Sequence, residues 1–313
     1  MNWIADSGLS LLDEVERQIL SGEYVPALEH LRTGIANLRN SYGTGEWQTL
    51  CAQTFYANDF LQHPVCRLVR SGLITGRSMD AGSGNIYHPA VIDAILGADP
   101  APSDLSALAQ ARHSWELNLG FCRSIRGRHD FVRNELADLA RASPSARILS
   151  VNNGYLREAA GFLSLSSLPE AEFIAFDRDP SNLAFIQREY DLPGLRTVRG
   201  SFRDLLSGET NLRKFDFIYA LNLFDRLETF RARPLLAGLA AMLNPGGRIL
   251  AANFAPELDD AAYLEAFLDC WPRYRSESEL SELALDIPEN SLRGQIVFRE
   301  ESGGSFFLDL RAT

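Results

Sequence analysis

The sequence predicts an α/β chain, with a helical N-terminal domain over residues 1–145 followed by a doubly wound, mostly parallel seven-stranded sheet over residues 146–313. Three observations lead there. Up to about residue 145, apolar residues recur at three- and four-residue spacing, the period of helices with one buried face. From Ala146 onward, short apolar runs alternate with helical segments, the signature of βαβ units and a parallel sheet covered on both faces. The chain closes with two strand-like runs and no helix between them, which read as an antiparallel pair.

In the first half, "LSLLDEVERQILSG" and "VPALEHLRTGIANLRN" are amphipathic helices closed by glycine or Asn-Ser. "WQTLCAQTFYANDFLQ", "SALAQARHSWELNLGFCRSI" and "HDFVRNELADLARA" continue the pattern. Around residues 71–104 glycine, proline and serine interrupt it, which predicts loops or short turns. In the second half "RILSV" is the first strand, followed by a helical "YLREAAGFLSL". "EFIAFD" is the second strand and "PSNLAFIQREY" a helix. "LRTVRGS" and "KFDFIYAL" are strands three and four, and "FRARPLLAGLAAML" is a helix. "GRILAANF" is strand five, fed by a tight turn at Pro245-Gly246-Gly247, and "DDAAYLEAFLDCW" is a helix. "GQIVFREE" and "SFFLDLRA" complete the sheet.

Length and composition narrow the function classes. At 313 residues and 46% hydrophobic, the chain can bury one large core or two ordinary ones. No apolar run approaches the roughly 18 residues of a membrane span, and the N-terminus carries acidic residues where a secretory signal has basic ones. A cytoplasmic protein without a membrane role is expected. A net charge of −11 argues against nucleic acid as a partner, because binding phosphates needs a basic face. A small-molecule substrate is the natural partner, with the helical domain available for a homodimer or a partner subunit. The four cysteines show no C-x-x-C pair and the five histidines no metal-ligand spacing, so no metal is expected. Lys214 is the only lysine among 30 basic residues, so an individual arginine reflects composition before it reflects function.

Two stretches compete as a nucleotide loop. "DAGSGN" has the spacing, but "GLITGRSM" before it is a poor strand and no second strand with a terminal acid follows. It reads as a turn or lid segment. Gly154 follows "RILSV", and Asp177 ends "EFIAFD" 23 positions later, close to the roughly 20 expected between a ligand-approaching glycine and a ribose-binding acid. Asn152, Arg178 and Asn222 lie at the same strand ends, and Ser201 with Phe202 follows strand three, where a hydroxyl and a ring suit an adenine.

This combination resembles a class I S-adenosylmethionine-dependent methyltransferase. Nearly the whole chain is similar to the bacterial proteins of extracellular-factor, 3-hydroxypalmitic acid methyl ester, biosynthesis. The resemblance rests on Val151-Asn152-Asn153-Gly154-Tyr155-Leu156-Arg157-Glu158 in place of that family's glycine loop, and on Asp177-Arg178-Asp179-Pro180-Ser181-Asn182-Leu183. Further matches are Asn222 to Leu227, Asn253-Phe254, Tyr263 to Ala266, and Tyr274-Arg275. It departs at Asn152-Asn153, where the family has small Ala-Cys, at Tyr155, where it has histidine, and at "GRSMDAGSGN", which resembles an altered family loop.

The resemblance implies S-adenosylmethionine as cofactor and esterification of a fatty-acyl carboxylate or a natural-product intermediate. The altered loop keeps a second reading open, in which cofactor binding is lost and the fold catalyses another displacement such as intramolecular cyclisation. A non-catalytic partner subunit, its pocket filled by side chains such as Tyr155 and Phe202, is a third. Asp225 is the first candidate for the reaction face, or else a helix cap. Glu265, Tyr274 and Arg275 are the other catalytic candidates. Asn253 and Tyr263, with Tyr87 and His88 beside the "DAGSGN" loop, are candidates for substrate contact.

Overall fold

The structure is a computed structural model that describes residues 3–56, 58–82, 84–163, 170–190, 193–207, 212 and 214–313. It divides into two compact units: Met1–Ile125 with Glu257–Trp271, and Arg126–Pro256 with Pro272–Thr313.

The second unit is built on seven strands: β1 Arg147–Val151, β2 Glu172–Asp177, β3 Leu195–Arg199, β4 Phe215–Ala220, β5 Leu243–Phe254, β6 Leu292–Arg299 and β7 Ser305–Ala312. Their order is β3-β2-β1-β4-β5-β7-β6. The first five run parallel, and β7 inserts antiparallel between β5 and β6. Strands buried on both faces need continuous apolar runs, and "RILSV", "EFIAFD" and "KFDFIYAL" are such runs. One face carries Leu149, Ile174, Ile218 and Ile249 against the helix Thr229–Ala241. The other carries Ile148, Phe173, Phe217 and Phe307 against Val132 and Leu136 of the helix Gly120–Ala142. The Pro245-Gly246-Gly247 segment, expected as a turn before strand five, lies inside β5 as an irregularity of its pairing with β4. The helix expected over residues 155–165 is shorter than its pattern: a 3-10 turn Arg157–Ala159 and a helix Ala160–Leu163, while Ser164 and Leu165 lie outside the described residues.

Two expectations about organisation are corrected. The division falls at residue 125 inside the helix Gly120–Ala142, because the C-terminal part of that helix belongs to the sheet's core. Residues 257–271, expected in the α/β domain, belong to the helical unit. Every residue of the helix Ala261–Phe267 is buried, and the polar groups of Tyr263 and Glu265 are satisfied within the helical unit.

The segment expected as loops, residues 71–104, holds two helices, Leu73–Asp80 and Pro89–Leu96. The first is capped from a distance: Glu116 accepts hydrogen bonds from the amides of Ile74 (3.3 Å) and Thr75 (3.0 Å). That buried carboxylate satisfies amides that a helix start leaves unpaired. The second is capped locally by His88, whose Nδ1 accepts from the Ala90 amide at 3.2 Å, with Pro89 at the first helical position and left-handed Gly97 at the end.

"SMDAGSGN" therefore begins as the last turn of a helix, and its tail folds back through the Asn85 amide to the Ser78 carbonyl. Ser83, in its middle, lies outside the described residues. Gly84 has φ +64°, and a Cβ there would stand 1.5 Å from the carbonyl oxygen of Leu268. Gly82 has φ +100° with open space around it. The glycine spacing that imitates a nucleotide loop thus serves backbone packing at Gly84. Gly84→Ala is expected to destabilise the protein by about 2 kcal/mol or more, and Gly82→Ala by no more than about 1–2 kcal/mol of left-handed strain. Denaturant midpoints of the two variants check the ranking; equal losses would contradict it.

Candidate functional site

In a doubly wound sheet the ligand lies beyond the carboxyl ends of the strands, where the strand order reverses. Here β1 sits between β2 and β4, so that point lies at the ends of β1, β2 and β4. After Val151 the chain makes three left-handed steps, at Asn152 (φ 56°), Gly154 (φ 64°) and Leu156 (φ 55°). Glycine takes this conformation without penalty and asparagine more readily than most residues. The turn is fastened on both sides. The Asn152 amide donates to the Phe176 carbonyl of β2 at 2.8 Å. Asn153 points inward: its carbonyl accepts from the Leu221 amide at 2.9 Å, and its amide donates to Ser150 Oγ (2.8 Å) and the Tyr219 carbonyl (3.3 Å). The second residue of the altered Asn-Asn pair thus ties β1 to β4, and only Asn152 reaches the ligand side.

A cleft of about 710 Å³ opens there, within the size range of small-molecule sites. Asn152, Arg178, Ser201 and Phe202, all expected at a cofactor, line it together with Leu223 and Leu227. Gly154, Asp177 and Asn222 are not among its lining residues. Asp177 is 4% exposed and turned into its own loop, where its carboxylate accepts from the Asp179 amide (2.8 Å) and from Asn182 Nδ2 (3.0 Å). Burial raises its pKa above the ordinary carboxylate value, against the pull of those donors. Ser201 is likewise oriented. Its hydroxyl accepts from the Asp204 amide, and its own amide donates to the Asp204 carboxylate at 2.7 Å, which together with the Ser201 side chain holds that carboxyl below its usual pKa. Asn222 is 5% exposed, and its carbonyl oxygen has no hydrogen-bond partner among the described residues. An orphaned buried acceptor at the end of β4 fits a donor on a bound ligand.

The cleft also contains residues that sequence reasoning misses: Arg203, Arg226, Arg231 and Phe230. Phe230 is 69% exposed, large for an aromatic side chain. Arg203 and Phe230 follow β3 and β4, so strand placement is the signal that could find them, while the high arginine content hides the cluster.

Of the catalytic candidates, Asp225, Glu265 and Arg275 are buried and hydrogen-bonded. Asp225 is 0% exposed, is not the cap of the helix Thr229–Ala241, and is not among the residues lining the cleft. Its carboxylate takes two hydrogen bonds from Arg128 (2.6 and 3.3 Å) and one from the Phe254 amide (2.5 Å), so a buried charge is paired and satisfied. Arg275 donates to the carbonyls of Phe224 and Leu227 and to Asn253 Oδ1, while Asn253 Nδ2 donates to the Arg273 carbonyl. Both are staples that fix the chain after β4 and β5. Tyr274 beside them is half-buried, outside the cleft lining. Glu158 accepts from the Tyr219 hydroxyl at 2.7 Å and lies 3.2 Å from His129 Nδ1, bracing the glycine turn from inside.

Four further candidates belong to the helical unit, and three of them are also occupied. Glu265 accepts from Arg39 (2.6 and 3.0 Å) and from the indole of Trp47 (2.7 Å). The Tyr263 hydroxyl bonds Thr75 at 2.7 Å. His88 is the cap already described, and Tyr87, next to it, is half-buried. The same unit gathers Asp13, Glu16 and His63 within 4.8 Å of one another. His63 Nδ1 accepts the Val65 amide, which puts the proton of a neutral ring on Nε2, facing Asp13 at 3.3 Å. His63 thereby joins the helix Trp3–Leu20, which carries Asp13 and Glu16, to the helix Pro64–Arg70 that it caps.

A parallel five-strand sheet extended by an antiparallel seventh strand inserted beside the fifth decides the fold. It is that of the class I methyltransferases. No family model and no curated protein matches the chain. Among solved structures, the chain is similar to a possible exported protein from Bordetella parapertussis, at 13% identity and TM-score 0.57, over 87% of this chain and 98% of that one. It is also similar to the magnesium protoporphyrin IX methyltransferase of Synechocystis with bound S-adenosylmethionine, at 16% identity and TM-score 0.43 over 63% of this chain and 85% of that one. The N-methyltransferase NodS of Bradyrhizobium japonicum with S-adenosylhomocysteine matches at 15% identity and TM-score 0.42, over 60% and 87%. Likeness at such identities concerns the fold. No helix of the described residues is long and apolar enough to cross a membrane.

Proposed function

We propose that this chain is a cytoplasmic S-adenosylmethionine-dependent methyltransferase acting on a small-molecule carboxylate, a fatty-acyl or natural-product intermediate. The observation that carries the proposal is the cleft at the ends of β1 to β4, with the left-handed turn at Gly154 beside it and the orphaned Asn222 carbonyl nearby. Asn152 and Ser201 offer polar contacts to a nucleoside, and the Phe202 ring offers an adenine a flat apolar face. When bound, the cofactor supplies an electrophilic methyl group. The chain's part is to hold donor and acceptor in line, since positioning supplies much of the rate of such a displacement.

A carboxylate acceptor agrees with what the wall lacks. No aspartate, glutamate or histidine is among the described residues lining the cleft, and the buried acids Asp225 and Glu265 are fully engaged elsewhere. An ionised carboxylate is already a nucleophile at neutral pH and needs no base, unlike a hydroxyl. Titration calorimetry with S-adenosylhomocysteine tests the reading. Saturable binding that Asn152→Ala weakens by about tenfold, roughly the value of one or two hydrogen bonds, is expected; no binding at millimolar ligand sinks it.

A second reading, a displacement such as ring closure without methyl transfer, is favoured by the arginines of the cleft, which suit an anionic intermediate better than a cationic cofactor. Turnover of a substrate without added cofactor would decide for it. A non-catalytic subunit with a filled pocket is disfavoured, because Tyr155 stacks on Phe185 with ring centres 3.8 Å apart and the cleft stays open.

A further inference from the structure

Arg178, Arg203, Arg226 and Arg231 line one cleft, and no carboxylate is among its described lining residues. All four side chains are exposed, and Arg178, Arg203 and Arg231 form no ion pair with a described residue. This occurs in a chain of 41 acidic and 30 basic residues, where an average patch of surface is negative. The acids nearest in sequence are engaged elsewhere: Asp177, Asp179 and Asp204 accept from the amides of Asp179, Ser181 and Ser201, Asp225 pairs with Arg128, and Glu228 pairs with Arg273.

S-adenosylmethionine has a sulfonium and an ammonium against one carboxylate, so it is a net cation. Four exposed guanidinium groups in a concave wall favour anions over such a cation. A phosphate suits them best, because the planar fork of arginine matches two of its oxygens at once. The rest of the wall suits a flat ring: Phe202, Phe230, Leu223 and Pro234 contribute apolar faces, and the Arg231 guanidinium lies 5.3 Å from the centre of the Phe230 ring.

We infer that the cleft binds a phosphorylated nucleoside, its base against Phe202 and Phe230 and its phosphate held by Arg178, Arg203, Arg226 and Arg231. This shares with the methyl-transfer reading only the nucleoside-sized cleft.

Calorimetry on the full chain compares adenosine 3′,5′-bisphosphate with adenosine, inorganic pyrophosphate and S-adenosylhomocysteine. The bisphosphate is expected to bind at least about tenfold tighter than adenosine or pyrophosphate, and to weaken by about tenfold when salt rises from about 50 to about 500 mM. Arg203→Gln and Arg231→Gln are each expected to cost about tenfold in bisphosphate affinity, the worth of a charge-assisted hydrogen bond, with melting temperatures unchanged because both side chains are exposed.

Bisphosphate binding no tighter than that of adenosine, or insensitive to both substitutions, overturns the inference. Pyrophosphate binding as tightly as the bisphosphate overturns it too, since the cleft would then be a site for an inorganic anion alone. The S-adenosylhomocysteine arm is read separately. If that ligand binds and the bisphosphate does not, this inference fails and methyl transfer stands; the converse result removes methyl transfer and leaves the phosphate site.

Discussion

Asp225→Ala is expected to destabilise the protein by about 3–5 kcal/mol, because it strips a wholly buried Arg128 of its counter-charge. Arg128 reaches the carboxylate with both terminal nitrogens and also donates to Ser305 Oγ and the Leu221 carbonyl, so one residue joins the ends of β4, β5 and β7. The guanidinium lies 4.0 Å from the centre of the Phe254 ring, which adds a cation–π contact in a buried site. Arg128→Met together with Asp225→Leu should recover much of the loss, since replacing a buried pair by apolar groups of similar volume is often close to neutral. Urea denaturation of the single and double variants reads this directly. A stable but inactive Asp225→Ala would restore the residue to the reaction face and contradict the structural role.

Asp260 is expected to make stability fall as pH rises from about 4 to about 7. Burial raises its carboxyl from 3.8 to about 7, against the opposing pull of the Phe121 amide, which donates to both oxygens at 3.1 and 3.3 Å. A carboxyl whose folded pKa lies above its unfolded value stabilises the fold in its protonated form. That stability is complete below the unfolded pKa and is lost as pH passes through the folded one. The change is on the order of 2–4 kcal/mol, since each tenfold difference in proton affinity between the folded and unfolded chain is worth about 1.4 kcal/mol. Asp260→Asn keeps an acceptor for the amide and removes the charge, so its stability should be flatter than that of the parent between pH 4 and 8. Other groups, among them Glu172 and Glu279 with lowered pKa, push the other way, and the comparison of variant with parent cancels them. Parallel curves for the two proteins would show that Asp260 does not titrate in this range.

Much of the α/β unit is legible in the sequence because its signals are local. A parallel strand covered on both faces must be largely apolar, and "RILSV", "EFIAFD" and "KFDFIYAL" satisfy that over five to eight residues without reference to the rest of the chain. The rejection of "DAGSGN" as a nucleotide loop rests on the same logic, since the segment before it has no strand character. In the structure it follows the helix Leu73–Asp80. The interrupted rhythm of residues 71–104 misleads, because the cap of that helix, Glu116, comes from 42 positions away from Ile74 and leaves no trace in the local pattern.

Side-chain roles are legible only in part. Strand ends place Asn152, Arg178, Ser201 and Phe202, and the same strand ends put them at the cleft. Asp225, Asn253, Glu265 and Arg275 carry the residue types of catalysis, but a sequence does not show whether a carboxylate faces solvent or a buried arginine. Arg128, which pairs with Asp225, lies 97 positions away on a helix of the other half of the pattern.

By itself the sequence determined the strands, their alternation with helices, the likeness to a methyltransferase sheet and the position of its glycine turn, because apolar periodicity and backbone preference act within a few residues. The tertiary structure alone decided that residues 257–271 join the helical unit, that Asp225 and Glu265 are buried partners of Arg128 and Arg39, and that four arginines share one cleft. These depend on which distant groups meet, and burial converts a charge from a solvated group into one that must find its partner.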